Sequence, residues 1–456
     1  MLKKYDLVIL NGNIIRFNPD RIDEQINIGI KDGVIEVFTR DALSGEVVIN
    51  AEGKYVSPGF IDFHSHVNGR LFSAKCLLNQ GVTTTIGGER VFDPKIMRDI
   101  ETDGFIINHG FYISDSFTLR KAVGLNDPRQ MATEQEINSM IRLTERFFEY
   151  GVLGLHFSLE YVPGTSEAEL ESLFYVAKRY NKIVMMHLRK DGYESLEALE
   201  EVIRVARKTR AKVHILHVMY TAGLNGVLDK FLKKLENARN EGCDITADTG
   251  VYSAYPTFSG SELLHSSWAK GYGNKVSEKN LMVSSGVHAG KFCNEELFSY
   301  IRREFPATLM TAFVYDETQI ETAIRPDYMY ISTNAAYGPH HDNVGHPEGA
   351  GTFPKFLSQY VRDKKVLPLI TAIKKCTLLP AERIGISKKG ALEVGNDADI
   401  TVFDLKKIAS NSNYVGFGNP NAEPEGIDYV IVAGHVVKDI GGVVESKTFY
   451  GKMIKA

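Results

Sequence analysis

The sequence predicts an α/β fold: a (β/α)8 TIM barrel with a small β-sandwich made from both ends of the chain. Three observations predict it. Eight apolar strand candidates fall at 56–64, 81–88, 104–112, 153–159, 182–188, 212–218, 244–252 and 328–333. Helical patterns separate many of them, the alternation expected of a parallel barrel. Short strands punctuated by turns fill residues 1–57 and return after about 385. The barrel is therefore expected over 58–385 and the sandwich over 1–57 and 386–456, with an insertion at about 255–327, where the gap before the eighth strand is long. A chain of 456 residues has room for both units.

The elements follow in order. Tyr5 to Leu10 reads as a strand and Asn11-Gly12-Asn13 as a hairpin turn. Asn27 to Ile30 and Val34 to Val37 flank Lys31-Asp32-Gly33, a second turn. Thr133-Glu134-Gln135-Glu136 and Ser166-Glu167-Ala168-Glu169 have the spacing of capping boxes ahead of amphipathic helices. Apolar stripes of helical period run through 194–209 and 225–240. Gly390 to Phe403 and Ile427 to Gly434 supply the returning strands of the sandwich.

Composition narrows the function. A net charge of -4 offers no basic footprint, which argues against nucleic acid and anionic membrane as partners. No apolar run reaches transmembrane length, and the opening Met-Leu-Lys-Lys-Tyr-Asp has no signal-peptide core. Cysteines 76, 243, 293 and 376 are scattered without paired spacing, as expected of reduced thiols in a cytoplasmic protein.

In a barrel of this kind chemistry sits at the C-terminal ends of the strands, so the polar residue closing each strand matters. His64 and His66 close the first, and residues i and i+2 of a strand share a face. Their imidazoles can share one metal ion. Glu89 follows strand two, and its carboxylate could bridge two metals. Asn108-His109-Gly110 lies near the end of strand three, and strand four runs into Ser158, Glu160 and Tyr161. His187 closes strand five. Strand six offers His214 and His217 on opposite faces, with His217 nearer the mouth. Histidines and a carboxylate around an open metal position generate hydroxide near neutral pH.

With these residues in place, the chain resembles the amidohydrolase superfamily, and within it the D-aminoacylases (N-acyl-D-amino-acid deacylases). The resemblance rests on Pro58 to His66, Gly81 to Thr85, Leu159 to Gly164, His187-Leu188-Arg189, Leu216-His217, Gly351 to Pro354, Leu379 to Ala381 and Gly395 to Ile400. It implies a distorted barrel and zinc held by His187 and His217, with His64 and His66 at a second, often weaker, position. One or two zinc ions are implied, and other divalent metals are allowed. The implied reaction is hydrolysis of a small-molecule amide by metal-activated water, in a chain whose association into a homo-oligomer is left open.

Three departures stand against the family pattern. Where D-aminoacylases place a metal-binding cysteine after strand two, this chain has Gly87-Gly88-Glu89-Arg90, making Glu89 the natural substitute. Where the family has a catalytic aspartate after strand eight, this chain has Asn334. Asparagine can orient a water but cannot carry its proton. Three readings stay open: a substitution made to trap a ligand, a natural change with His340, His341 or Asp342 serving instead, or a silent site. Where the family tends to have an arginine for the substrate carboxylate, this chain has Glu348. Arg189, Arg120, Lys190 or Tyr252 would then hold the carboxylate, or Glu348 reads a cationic or hydroxyl-bearing group. Tyr252 or His109 would also help stabilise the oxyanion.

Two other functions compete with the deacylase. Cyclic-amide or isoaspartyl-dipeptide hydrolysis uses the same metal logic, but those relatives generally carry a lysine after strand four, absent here. A non-catalytic scaffold accords with Asn334 and conflicts with the retained histidines.

Overall fold

The computed structural model describes residues 4–88, 92–265, 268–335 and 345–455. Eight parallel strands form the barrel: Phe60–Asp62, Val82–Gly87, Asn108–Ser114, Gly154–Ser158, Ile183–His187, Lys212–Ile215, Ile245–Thr249 and Met329–Ile331. They pair in sequence order, each with the next. Nearly every residue in them is buried, because helices cover one face and packed side chains fill the other.

The seam between the first and eighth strands closes differently. Thr333 donates its backbone N–H and its hydroxyl to Asp62, at 3.0 and 2.6 Å, and the Asn334 N–H donates to the His64 carbonyl at 3.0 Å. The distortion of the barrel is thus concentrated where His64 and Asn334 meet. The third strand begins later than its apolar pattern suggests. Gly104, at φ 74°, ends the helix Pro94–Asp103, and residues 105–109 pair with the C-terminal segment at Gly451 and Met453.

The helices follow their caps. Thr133 and Glu136 complete a capping box on Glu134–Tyr150. Ser166 caps Glu167–Arg179, but Glu169 does not turn back to complete a box. Its carboxylate is fully buried against the Arg120 guanidinium at 2.6 and 2.7 Å.

Both ends of the chain contribute to a nine-stranded sheet outside the barrel. Its core includes Ile9, Ile28, Ile30 and Val56 from one end and Ile400, Val402 and Ile431 from the other. Asp32 and Gly33 take φ 51° and 77°, as the predicted turn requires. The Asn11-Gly12-Asn13 turn does not form. Asn11 adopts φ 59° and its N–H is satisfied by Asn27 Oδ1 at 2.9 Å, so the strand Lys4–Phe17 bulges there and continues.

Between the seventh and eighth barrel strands, Ala254–Phe258, Leu281–Val283 and Leu309–Phe313 form an antiparallel sheet. Thr257 Oγ1 lies 2.9 Å from the Tyr161 hydroxyl, and the Tyr315 hydroxyl donates to the Tyr220 carbonyl. These contacts seat the inserted sheet over the barrel mouth. Among the described residues, no helix is long and apolar enough to cross a membrane.

Candidate metal centre

The first two histidines follow the strand Phe60–Asp62, and the alternation of side chains persists past its end. Ser65 points away to Thr85 Oγ1 at 2.7 Å, leaving His64 and His66 on the other face with ring centroids 5.7 Å apart. His187 is the last residue of its strand. His217 follows Ile215 by two residues and takes φ 35°, a strained left-handed conformation for a residue with a Cβ. That turn brings its Nε2 to 2.8 Å from His187 Nδ1.

The outer nitrogens of these two rings are also occupied. His187 Nε2 lies 3.4 Å from Glu160 Oε2, and His217 Nδ1 lies 3.3 Å from Thr221 Oγ1. A protonated outer nitrogen leaves the facing nitrogen with its lone pair, the form a metal requires. Two nitrogens on one tetrahedral zinc at ~2.0–2.1 Å stand roughly 3.3 Å apart. The observed separation therefore needs an opening of a few tenths of an ångström, and the donor set fits a divalent ion. The centroid of His64 is 5.6 Å from that of His217, so the first pair borders the same space.

Asn334 joins them. It sits at φ 48°, a conformation asparagine tolerates better than most residues, with Oδ1 3.3 Å from His66 Nε2.

Asp248 organises this group, although sequence reasoning assigned it no role. Its Oδ1 accepts the His217 backbone N–H at 2.7 Å. Its Oδ2 lies 3.0 Å from His214 Nε2 and 3.4 Å from His64 Nδ1. Burial alone would raise its pKa, but the charge of His64 and the hydrogen bonds from His214 and His64 outweigh that and hold the carboxyl well below the usual range. His214, bound to Thr246 and Asp248, faces away from the mouth, as the odd spacing from His217 predicts. The signal for Asp248 was present: it is the polar residue near the end of strand seven.

A pair of carboxyls lies beside the cavity, and one of them, Asp191, lines it. Glu160, His187 and Asp191 bring ligand atoms within 4.8 Å of one another. Burial pushes Glu160 up to about 7, against hydrogen bonding from Asp191 and the charge of Lys190. Burial and neighbouring Glu160 together raise Asp191 well above the carboxylate range. Asp191 was also missed. It follows strand five by four residues, and only the loop fold turns it inward.

The remaining predicted residues are placed less centrally. Glu89, His340 and His341 lie outside the described residues. The structure does not bring Arg189 to the cavity: its guanidinium binds Glu201 at 2.9 Å and the carbonyls of Pro163 and Thr165, each at 2.9 Å. Arg120 is fully buried, bound to Glu169 and the Gln130 carbonyl. Tyr252 is turned towards Ser412 and His346, outside the cavity wall. Glu348 is fully buried and accepts the Tyr220 hydroxyl at 2.7 Å, so it reaches the cavity through that ring rather than lining it. His109 is second in its strand, with its ring stacked on Phe111 at 4.3 Å. The cavity itself is walled by Tyr161, Tyr220, Tyr255 and Leu263, with His66, His187, His217 and Asn334 among the polar residues lining it.

The chain as a whole resembles known proteins. The amidohydrolase family profile matches residues 332–438. A D-aminoacylase from Alcaligenes xylosoxydans xylosoxydans is 26% identical, covering 94% of each chain. An N-acyl-D-glutamate deacylase of the same organism is 26% identical over 96% of this chain and 94% of its own. Among solved structures, the N-acyl-D-glutamate deacylase of Bordetella bronchiseptica, complexed with zinc and a phosphonate inhibitor, superposes with a TM-score of 0.86 at 22% identity, covering 100% of both chains. A D-aminoacylase structure described as defining a subset of amidohydrolases gives a TM-score of 0.86 at 22% identity, over 99% of this chain and 100% of that one.

Proposed function

We propose that the chain, a D-aminoacylase-like protein of the amidohydrolase superfamily by its likenesses, deacylates N-acyl-D-amino acids. The observation that carries the reading is the convergence of His187 Nδ1 and His217 Nε2 at the barrel mouth, each ring anchored from behind. His187 and His217 would hold the principal divalent ion, zinc in the zinc-complexed neighbour. His64 and His66 would offer a second position. When bound, such an ion polarises the amide carbonyl and brings the pKa of water to about 7.

The chain's own residues do the rest. Glu160 and Thr221 fix the ring orientations of His187 and His217. Asp248 orients His64 through Nδ1 and fixes the backbone that presents His217. Tyr161, Tyr220 and Tyr255 exclude bulk water, which strengthens electrostatic interactions inside. Asn334 can hold a water through Oδ1 but cannot take up its proton.

Asp248→Asn is expected to weaken zinc binding by about 10–100-fold, the usual effect of losing an outer partner of a metal-binding histidine. Titration of the metal-free protein with zinc checks this, and an unchanged affinity would remove Asp248 from the account.

The activity test is release of free amino acid from N-acetyl and N-formyl D- and L-amino acids, before and after chelation. Zinc-restored release from D-substrates is the expected result. Hydrolysis that persists without metal, or no turnover of any panel member, counts against the deacylase. Strand four and the Leu159-Glu160 that follow it carry no lysine, which disfavours the cyclic-amide and isoaspartyl reading.

A further inference from the structure

The reaction proposed above says nothing of what lies beside the scissile amide. Three observations address it. Asp191 borders the cavity, is 6% exposed, and its buried Oδ1 has no hydrogen-bond partner among the described residues. Glu160 converges on the same point, within 4.8 Å. Around them stand three tyrosine rings, Tyr161, Tyr220 and Tyr255, whose faces attract cations.

The two arginines the sequence offered for a carboxylate, by contrast, are spent. Arg120 is tied to Glu169, and Arg189 to Glu201 and two carbonyls. A buried carboxyl this close to a second, half-buried one is stable only with a proton or a positive charge between them. Thr221 also leans on Asp191, and Lys190 acts on the pair through its charge, but neither is among the residues lining the cavity.

We propose that Asp191, with Glu160 behind it and the tyrosines around it, is a subsite for an ammonium group of the substrate. The substrate class is then an N-acyl-D-amino acid with a basic side chain. This rests on the deacylase reading for the identity of the amide, but not for the subsite itself. Glu160 has a second task in orienting His187, whereas Asp191 presents the unsatisfied oxygen and is the residue that selects.

N-acetyl-D-lysine and N-acetyl-D-norleucine differ by that ammonium group and share the carbon chain. Both are to be measured for binding, by calorimetry, and for hydrolysis on the zinc-loaded protein, its Asp191→Asn variant and the isosteric Glu160→Gln variant. Zinc per chain is measured in each. The wild type is expected to favour the lysine compound by about 10–100-fold, the gain from a hydrogen bond to a charged group in a buried site. In Asp191→Asn that ratio should fall towards unity with zinc content unchanged.

Tighter binding of the lysine compound without turnover of either would uphold the subsite and refute the deacylase. Equal treatment of both by the wild type overturns the subsite, and hydrolysis of both in that case leaves the deacylase standing. Loss of zinc in Asp191→Asn makes Asp191 a metal ligand and overturns the assignment, as does a lysine preference that survives in that variant. If Asp191→Asn does not fold, the wild-type ratio and Glu160→Gln decide: equal binding of the two compounds to the wild type overturns the proposal.

Discussion

Replacing Asn334 with aspartate is expected to raise amide hydrolysis by about 10²–10⁴-fold, the usual worth of a positioned general base. The substitution is isosteric, and the backbone is already suited to it. The Asn334 N–H is fixed to the His64 carbonyl at 3.0 Å, and φ 48° is accessible to aspartate as well as asparagine. The new carboxylate oxygen would stand where Oδ1 now lies, 3.3 Å from His66 Nε2 at the rim of the metal position. There it can accept a proton and return it to the leaving nitrogen, which the amide cannot do. Initial rates on N-acetyl-D-amino acids with zinc present, for both proteins, check the expectation. No gain would show that another group carries the proton or that the site is silent.

His187→Ala and His217→Ala are each expected to abolish zinc-dependent hydrolysis and to weaken zinc binding by more than the roughly 10–100-fold of an outer-partner loss. The argument is geometric. The two facing nitrogens, 2.8 Å apart, form one donor pair, and removing either leaves the ion with half of it. The same change at His66 should do less, because its ring lies against Asn334 and belongs to the second pair. Zinc titrations of the three variants give the ranking. Equal losses at His66 and His187 would place the principal ion between the pairs.

Much of this was legible in the sequence because the information is local. Barrel strands are apolar runs ending at a polar turn, and the eight found that way all form, with boundaries shifted by a few residues. The His-x-His, His187 and the choice of His217 over His214 follow from where these residues fall at the strand ends. What escaped depends on long-range packing. Arg189 looked like a carboxylate binder, but Glu201, one helix later, claims it. Glu169 looked like half of a capping box, but Arg120 draws it inward. Asp191 is a loop residue whose importance comes from Glu160, thirty-one positions earlier in the chain. Asp248 differs, since the rule applied to the other strands reaches it. Its task, binding His64, His214 and the His217 backbone together, needs three strand ends in register.

A zinc-edge anomalous difference map from crystals of the zinc-loaded protein locates the ion directly. The arrangement described here predicts a peak about 2.0–2.1 Å from both His187 Nδ1 and His217 Nε2. A map without a peak between those two nitrogens, or with zinc held only by Glu160 and Asp191, contradicts it.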